Sequence, residues 1–126
     1  MANKVLNTNN APGAVGPYVQ GVQAGNLVVC SGQLGLDPVT GKLCQTVAEQ
    51  AHRSMKNLGA VLKEAGCDYS DIIKTTIFLT DMEDFAAVNA VYQSYFTGSY
   101  PARSCVQVAK LPLGGLVEIE CMAVAR

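Results

Sequence analysis

Residues 71–81, DIIKTTIFLTD, place the tightest limit on what this chain can fold into. The segment is rich in β-branched residues and apolar on both faces, a pattern typical of a strand in the interior of a sheet. The segments before and after it change to the helical period. The sequence therefore predicts a central strand between two helices that pack on a sheet.

The segment before this strand predicts a helix over residues 47–65. Thr46 and Glu49 form a capping-box pattern at its start. Gly66 stands where a left-handed C-terminal cap is expected. Apolar residues repeat at helical spacing and form one stripe that faces the sheet: Val47, Ala51, Met55, Leu58, Val61, Leu62 and Ala65.

The segment after the strand predicts a second helix. Either Asp81 or Asp84 caps its start, and the helix is expected to end near Gly98. Its buried stripe consists of Phe85, Val88, Tyr92, Tyr95 and Phe96. The two helices thus stand on either side of the central strand along the chain.

Strand-like runs occupy both ends of the sequence. Two of them, Tyr18–Gln23 and Leu27–Ser31, are joined by AGN, a hairpin signal. Two more, ARSCVQVAKL and LVEIECMAVA, surround the loop PLGG. This order predicts an α+β fold in one domain, residues 1–126, with both helices on one face of the sheet. The other face also carries apolar side chains, so a partner subunit is expected to cover it.

Composition argues against several classes of function. Nine Lys+Arg against ten Asp+Glu give a formal net charge of −1, and the absence of a basic run argues against nucleic-acid binding. The sequence contains neither the apolar core of a signal peptide nor a stretch of ~18 apolar residues, which predicts a cytoplasmic protein without membrane association. Five cysteines without CxxC spacing and one histidine predict free thiols and no bound metal.

The motif PARSCV, residues 101–106, is the first candidate for chemistry. Pro101 ends a loop ahead of a strand on which Arg103, Cys105 and Gln107 point to one side. An arginine here is either a solvated charge at a strand end or an anion receptor. Its planar guanidinium can hold a carboxylate through two parallel hydrogen bonds.

The segment LVEIEC adds two carboxylates, Glu118 and Glu120, on one face of a strand. They form either a solvent-exposed face or a site in which a glutamate orients or deprotonates a water. The Cys105 thiol could act as a nucleophile whose pKa Arg103 lowers. Such a thiol needs a histidine as its base, but His52, the only histidine, is expected on the surface of the first helix. These residues therefore predict a small-anion site built from Arg103 and a glutamate, and they disfavour covalent cysteine catalysis.

Five longer segments closely resemble the RidA/YjgF family, also called the reactive intermediate deaminase or translation-initiation-inhibitor family. They are APGAVGPYVQGV (11–22), VVCSGQL (28–34), DIIKTTIFLTDMEDFAAVNAVY (71–92), PARSCVQVAKLP (101–112) and VEIECMAVA (117–125). The resemblance runs from about Ala11 to the C-terminus. It implies a chorismate-mutase-like fold with a mixed sheet, and a homotrimer whose sheets enclose a central barrel and whose ligand sites lie in clefts between subunits.

The resemblance also implies an activity, the hydrolysis of reactive 2-imino or 2-enamino acids to 2-oxo acids and ammonia, without a cofactor. Carried over by position, Arg103 would bind the substrate carboxylate and Glu118 would handle the water. Tyr18 would close the pocket, and Cys105 would contribute mainly through its backbone. The cleft would also be lined by Ser31, Gly32 and Asn89.

Two alternatives remain open at this point. Members of the family have also been described as endoribonucleases that inhibit translation, although the acidic charge balance and the single histidine count against that role here. The other alternative is a trimer without catalytic activity that binds small carboxylates or acts as a chaperone for other proteins. A glutamate beside a carboxylate-binding arginine favours the enzyme, because a pure binding protein has no need of a residue that handles water.

Overall fold

The predicted central strand and the two helices around it are present in the computed structural model, which describes residues 3–126. The strands are β1 (Lys4–Leu6), β2 (Gly21–Ala24), β3 (Leu27–Leu34), β4 (Ile72–Leu79), β5 (Ala102–Gln107) and β6 (Val117–Val124), and the helices are α1 (Val47–Lys63) and α2 (Phe85–Gln93). This order of elements confirms the predicted one. Neither helix in this part of the chain is long and apolar enough to cross a membrane.

All the strands belong to one six-stranded sheet, in the order β1-β2-β3-β6-β4-β5. β4 pairs in parallel with β5 and antiparallel with β6, and the remaining pairs are antiparallel. The sheet is therefore mixed, and β4 lies in its interior as predicted. β5 forms one edge, so one side of its backbone faces no other strand of residues 3–126.

The ends of α1 follow the predicted capping pattern. The backbone N–H of Glu49 donates to Thr46 Oγ1, and the Glu49 carboxylate accepts from the Thr46 N–H, both at 3.1 Å. At the other end Gly66 has φ 70°, and the N–H of Cys67 donates to the carbonyl of Leu62 at 3.0 Å. Both predicted caps of α1 are confirmed.

Helix α2 starts after a separate 3-10 turn, Met82–Asp84. Asp81 caps that turn, because its Oδ1 accepts from the Glu83 N–H at 2.9 Å. The Asp84 side chain makes no capping hydrogen bond to α2. Of the two predicted caps, Asp81 therefore acts on the turn that leads into the helix.

Helix α2 also ends earlier than predicted, at Gln93 rather than near Gly98. Ser94 Oγ donates to the Val91 carbonyl at 2.5 Å, so the hydroxyl takes a helix carbonyl that would otherwise bond a later N–H. The apolar pattern continued through residues 95 and 96, but these residues pack on the core from turns. The spacing of apolar residues alone could not show whether residues 95 and 96 belong to the helix or follow its end.

The hairpin of β2 and β3 has the predicted turn. Ala24 pairs with Leu27, and Gly25 between them has φ 61°. The first strand of the hairpin starts at Gly21, however, and not at Tyr18 as predicted. Tyr18 consequently lies in a loop beside the sheet, where its side chain is 51% exposed.

Both helices pack on one face of the sheet, as predicted, and the main core lies between them and the strands. It is built from buried residues on α1, α2 and alternate positions of the central strands, among them Met55, Leu58, Leu62, Ile77, Leu79, Val88, Val117 and Ile119. Residues on the helix face of β6 alternate with residues on the opposite face, which we call the open face.

The open face has no layer of structure over it within residues 3–126. Strand register places on it several large apolar side chains that are more than a third exposed: Val5, Leu27, Val29, Val106 and Met122. Exposed apolar residues that are contiguous across a sheet are typical of an interaction surface. The predicted apolar character of this face is confirmed.

Candidate active site

Arg103 lies on edge strand β5 and points toward the helix layer. It is the register partner of Thr75 on β4, a fully buried residue on the helix face. Its Nη1 donates to Oδ1 of Asn89 on α2 at 2.6 Å. The structure therefore brings together two of the residues predicted for the site, Arg103 and Asn89.

Two aromatic rings hold the guanidinium group of Arg103. Its central carbon lies 5.5 Å from the ring centre of Phe85 and 5.1 Å from that of Tyr92. Tyr92 is fixed in turn by a hydrogen bond of 2.7 Å between its hydroxyl and Thr75 Oγ1. These contacts stabilise the cation and leave no carboxylate next to it, since the single ion pair within residues 3–126 joins Arg126 to Asp71.

A cleft of about 340 Å³ opens in front of this arginine. Its lining consists of Asn89, Tyr92, Gln93, Tyr100, Pro101 and Arg103. Arg103 is the one charged residue among them, and it retains free N–H groups after bonding Asn89. The cleft can therefore accept a small anion, and a planar carboxylate fits the guanidinium best.

Cys105 follows Arg103 on the same side of β5 and is half-buried. Burial raises the pKa of its thiol, and the nearby Arg103 lowers it by a smaller amount. The expectation that Arg103 makes this thiol more acidic is therefore wrong in its net direction. A thiol with a raised pKa is a poor nucleophile. His52 does not serve as its base, because the Nδ1 of His52 lies 3.0 Å from the Tyr95 hydroxyl on the surface of α1.

Glu118 lies on the open face, since its neighbours Val117 and Ile119 are fully buried in the helix-side core. It is the register partner of Phe78 on β4 and Leu34 on β3. The group is half-buried, and burial together with the charge of Glu120 raises the pKa of the Glu118 carboxyl. A raised pKa makes the ionised carboxylate a stronger proton acceptor.

Gly32 makes room for this carboxyl group. The register of β3 against β6 shifts between Cys30 and Gln33, so Ser31 and Gly32 form a bulge beside Glu118. A Cβ atom at Gly32 would lie 2.9 Å from Glu118 Cδ. The glycine therefore allows the Glu118 side chain to lie directly across β3.

Ser31 connects this bulge to the loop that carries Tyr18. Its N–H donates to the Gln20 carbonyl at 2.9 Å, and its Oγ donates to the Val19 carbonyl at 2.6 Å. Ser31 thus positions the loop, and Tyr18, Gly32 and Glu118 line a common cleft of about 320 Å³.

Gln20 also lines this cleft and was not predicted from the sequence. Its side chain is only 1% exposed, and its amide spans the loop: Oε1 accepts from the Thr8 N–H at 2.7 Å, while Nε2 donates to the carbonyls of Thr8 and Pro12 at 3.0 and 2.8 Å. A buried glutamine with all these partners is a structural residue. The only indication of this role in the sequence was the position of Gln20, a polar residue directly before an apolar strand.

The seven predicted site residues thus fall into two groups on opposite faces of the sheet. Arg103, Asn89 and Cys105 lie on the helix side of the sheet. Glu118 lies on the open face, in a cleft that Tyr18 and Gly32 also line, and Ser31 lies next to Gly32 in the bulge of β3. One chain does not bring Arg103 and Glu118 together. Alternation along each strand was predicted correctly, but it does not give the relation between β5 and β6.

Comparison with known proteins shows which family this chain resembles. A family model described as Endoribonuclease L-PSP matches residues 8–125. A Mus musculus protein named 2-iminobutanoate/2-iminopropanoate deaminase is 52% identical, with 96% of this chain and 90% of that protein covered. A protein of the same name from Escherichia coli is 49% identical, with 98% and 99% covered.

Solved structures show the same similarity. Escherichia coli TdcF with bound serine aligns with a TM-score of 0.95 at 48% identity, over 98% of this chain and 99% of that one. The YjgF gene product of Escherichia coli aligns with a TM-score of 0.94 at 48% identity, over 98% of this chain and 99% of that one. RidA from a Psychrobacter species aligns with a TM-score of 0.94 at 44% identity, over 96% of this chain and 98% of that one. The chain therefore belongs to the RidA/YjgF family, whose family model carries the description Endoribonuclease L-PSP.

Proposed function

We propose that this protein is a 2-iminobutanoate/2-iminopropanoate deaminase, which hydrolyses reactive 2-imino and 2-enamino acids to 2-oxo acids and ammonia. Relatives at about half identity over nearly the whole chain carry this name. Identity of that extent across 96% to 98% of the chain supports a shared activity.

One observation carries the assignment of the site: Arg103 is held in place without an opposing carboxylate. A buried anion partner would have occupied the guanidinium group, whereas the rings of Phe85 and Tyr92 leave its edge free. The neighbouring structure of TdcF contains serine, a small molecule with a carboxylate. Both points support a small carboxylate as the ligand of Arg103.

The proposed site needs two chains, because Arg103 and Glu118 lie on opposite faces of one sheet. We propose a homotrimer in which the open faces meet around a central barrel and the β5 edge of one subunit approaches the Glu118 cleft of the next. The exposed apolar side chains of the open face and the free edge of β5 support this assembly. Cys105 would contribute through the backbone of that edge.

The proposed reaction uses two half-sites, the Arg103 cleft of one subunit and the Glu118 cleft of the next. Arg103 holds the carboxylate of the imino acid, and Glu118 accepts a proton as a water oxygen bonds to the imine carbon and the C=N electron pair moves to nitrogen. Glu118 returns that proton to the nitrogen, which gives a carbon bearing a hydroxyl and an amino group. Glu118 then moves the hydroxyl proton to the amino nitrogen as the C–N bond breaks, so ammonia leaves and the oxygen becomes the carbonyl of the 2-oxo acid. Tyr18, on its loop beside Glu118, would cover the reacting carbon.

A direct test uses 2-iminobutanoate generated in the assay by a pyridoxal-phosphate enzyme. The purified protein should accelerate the appearance of 2-oxobutanoate and ammonia in equal amounts. The rate without protein sets the background, because imines also hydrolyse spontaneously. A rate equal to that background at micromolar protein would contradict the deaminase assignment and leave the carboxylate-binding trimer as the better account.

An endoribonuclease would need more cationic groups than this site offers. Arg103 is the one cation that lines its cleft within residues 3–126, and Glu118 is the one charged residue that lines the other. Recognition of a nucleic-acid backbone usually draws on several Lys and Arg side chains.

We also propose a cytoplasmic location, because five cysteines without paired spacing suit a reducing compartment.

A further inference from the structure

Leu113 has an unusual backbone conformation at the edge of the Glu118 cleft. Its φ is 59° and its ψ is 18°, and it is the one non-glycine residue with positive φ among residues 3–126. An L-residue is disfavoured in this left-handed region because its Cβ crowds the next carbonyl. The Leu113 side chain is nevertheless 71% exposed, so burial in the core of its own chain does not explain the conformation.

The loop around Leu113 is tightly fixed. The Gly115 N–H donates to the Pro112 carbonyl at 3.0 Å, and Gly114 has φ 74°. A Cβ atom at Gly115 would lie 2.8 Å from Leu34 Cδ2, so this glycine lets the loop lie directly on β3. The backbone of this loop therefore sets the direction in which the Leu113 side chain leaves the chain.

Leu113 forms part of an apolar wall of the same cleft as Glu118 and Tyr18. The apolar residues that line the cleft are Pro12, Val15, Leu34, Leu36, Pro112 and Leu113. Glu118 is the one charged residue in the lining, within the part of the chain that the structure describes. A ligand entering here meets one carboxyl group and otherwise mainly apolar surface.

We infer that Leu113 determines which substrate side chains the enzyme accepts, an inference that rests on the proposed deaminase function. The reacting carbon of a 2-imino acid carries a carboxylate, an imino nitrogen and a side chain. Arg103 binds the carboxylate, and Glu118 holds the water against one face of the C=N bond. The side chain is the group left to contact the apolar wall, and Leu113 presents an exposed side chain in that wall from a loop held by a backbone hydrogen bond.

This position discriminates between side chains by solvation and charge. An apolar side chain covers the exposed Leu113 and removes both surfaces from water. An acidic side chain loses hydration against leucine and comes close to the Glu118 carboxylate, and no cation lines this cleft within residues 3–126 beside the Arg103 that already holds the substrate carboxylate. The wild-type site should therefore prefer 2-iminobutanoate to 2-iminoglutarate.

The test compares Leu113→Lys with Val39→Lys. Val39 is 91% exposed on the loop after β3 and does not line the cleft, so the control adds the same charge elsewhere. Each protein is assayed for kcat/KM with 2-iminobutanoate and 2-iminoglutarate, and for the binding of 2-oxobutanoate and 2-oxoglutarate by calorimetry. Leu113→Lys should lower the preference for the apolar member of each pair by about tenfold or more. Val39→Lys should keep the wild-type preference.

A second variant separates selectivity from folding. Leu113→Gly removes the side chain and suits the positive φ, so its Tm should not fall below that of Leu113→Ala, while its preference for the apolar ligand should fall. Equal preferences in wild type, Leu113→Lys and Leu113→Gly would overturn the role of Leu113. If the wild type does not hydrolyse imines above background, the deaminase proposal fails, and the calorimetric preference still decides whether Leu113 selects the ligand side chain.

Discussion

Arg103 keeps its position through contacts that leave its charge unopposed. The amide of Asn89 and the rings of Phe85 and Tyr92 restrict the guanidinium group, and Thr75 fixes the hydroxyl of Tyr92. A restricted arginine loses less conformational entropy when it binds a carboxylate than a free one does. The arrangement is therefore prepared for an external anion.

Removal of this side chain should abolish most of the activity and leave the fold intact, because Arg103 is half-buried at an edge strand. Arg103→Ala should cost on the order of 2–5 kcal/mol in kcat/KM, the range for losing a charge-assisted pair. Arg126→Ala is the matched control, since the Arg126 side chain is 82% exposed and lines neither cleft. Wild-type turnover in Arg103→Ala with unchanged circular dichroism would refute the carboxylate role.

Glu118, the proposed general base, lowers the stability of the fold when it is ionised. Burial and Glu120 raise the pKa of its carboxyl group. A carboxyl group whose folded-state pKa is raised contributes stability below its unfolded-state pKa, and that contribution is lost as the pH rises through the folded-state value. Above the folded-state pKa the ionised Glu118 therefore destabilises the fold relative to a neutral side chain of the same shape.

Glu118→Gln should consequently change activity and stability in opposite directions. Turnover of 2-iminobutanoate should fall by ~10²–10⁴ because the general base is lost, while the Tm at pH 7 should equal or exceed the wild-type value. The difference in Tm should shrink as the pH falls and the wild-type carboxyl becomes protonated. Glu120→Gln is the control, and an equal loss of turnover in that variant would mean that Glu120 handles the water.

At the level of elements, the bulge in β3 places the Glu118 side chain. Gly32→Ala should push the carboxyl group away, since the added Cβ would lie 2.9 Å from Glu118 Cδ. Gly13→Ala is the matched control, because a Cβ there meets nothing within 4 Å in the same cleft. We expect kcat to fall for Gly32→Ala alone, with its Tm close to that of the control. Equal kcat values for the two variants would show that the bulge does not position Glu118.

Most of the fold could be predicted from periodicity, but the relation between the half-sites could not. The stripe of α1, the capping box at Thr46 and the alternation around Arg103 and Glu118 are local patterns, and the structure agrees with them. The end of α2 depends on a hydroxyl bond of Ser94. The need for glycine at position 32 depends on the β3–β6 register, which no local pattern contains.

At the scale of the whole molecule, the two half-sites and the open face point to the same assembly. Arg103 lies at an edge strand on the helix side, and Glu118 lies on the uncovered face two strands away. A trimer would cover the exposed apolar side chains and place these residues across a subunit boundary. The trimer stays a prediction until the mass of the assembly is measured, for which sedimentation at micromolar protein is sufficient.

Mixing two inactive variants tests the shared site most directly. Arg103→Ala and Glu118→Gln subunits are refolded together in equal amounts, and each variant refolded alone is the control. If each site takes Arg103 from one subunit and Glu118 from the next, random mixing restores both residues at about one quarter of the interfaces. The mixture should therefore recover about one quarter of wild-type deaminase activity, whereas activity no higher than that of the separate variants, in trimers shown to be mixed, would contradict a site built from two chains.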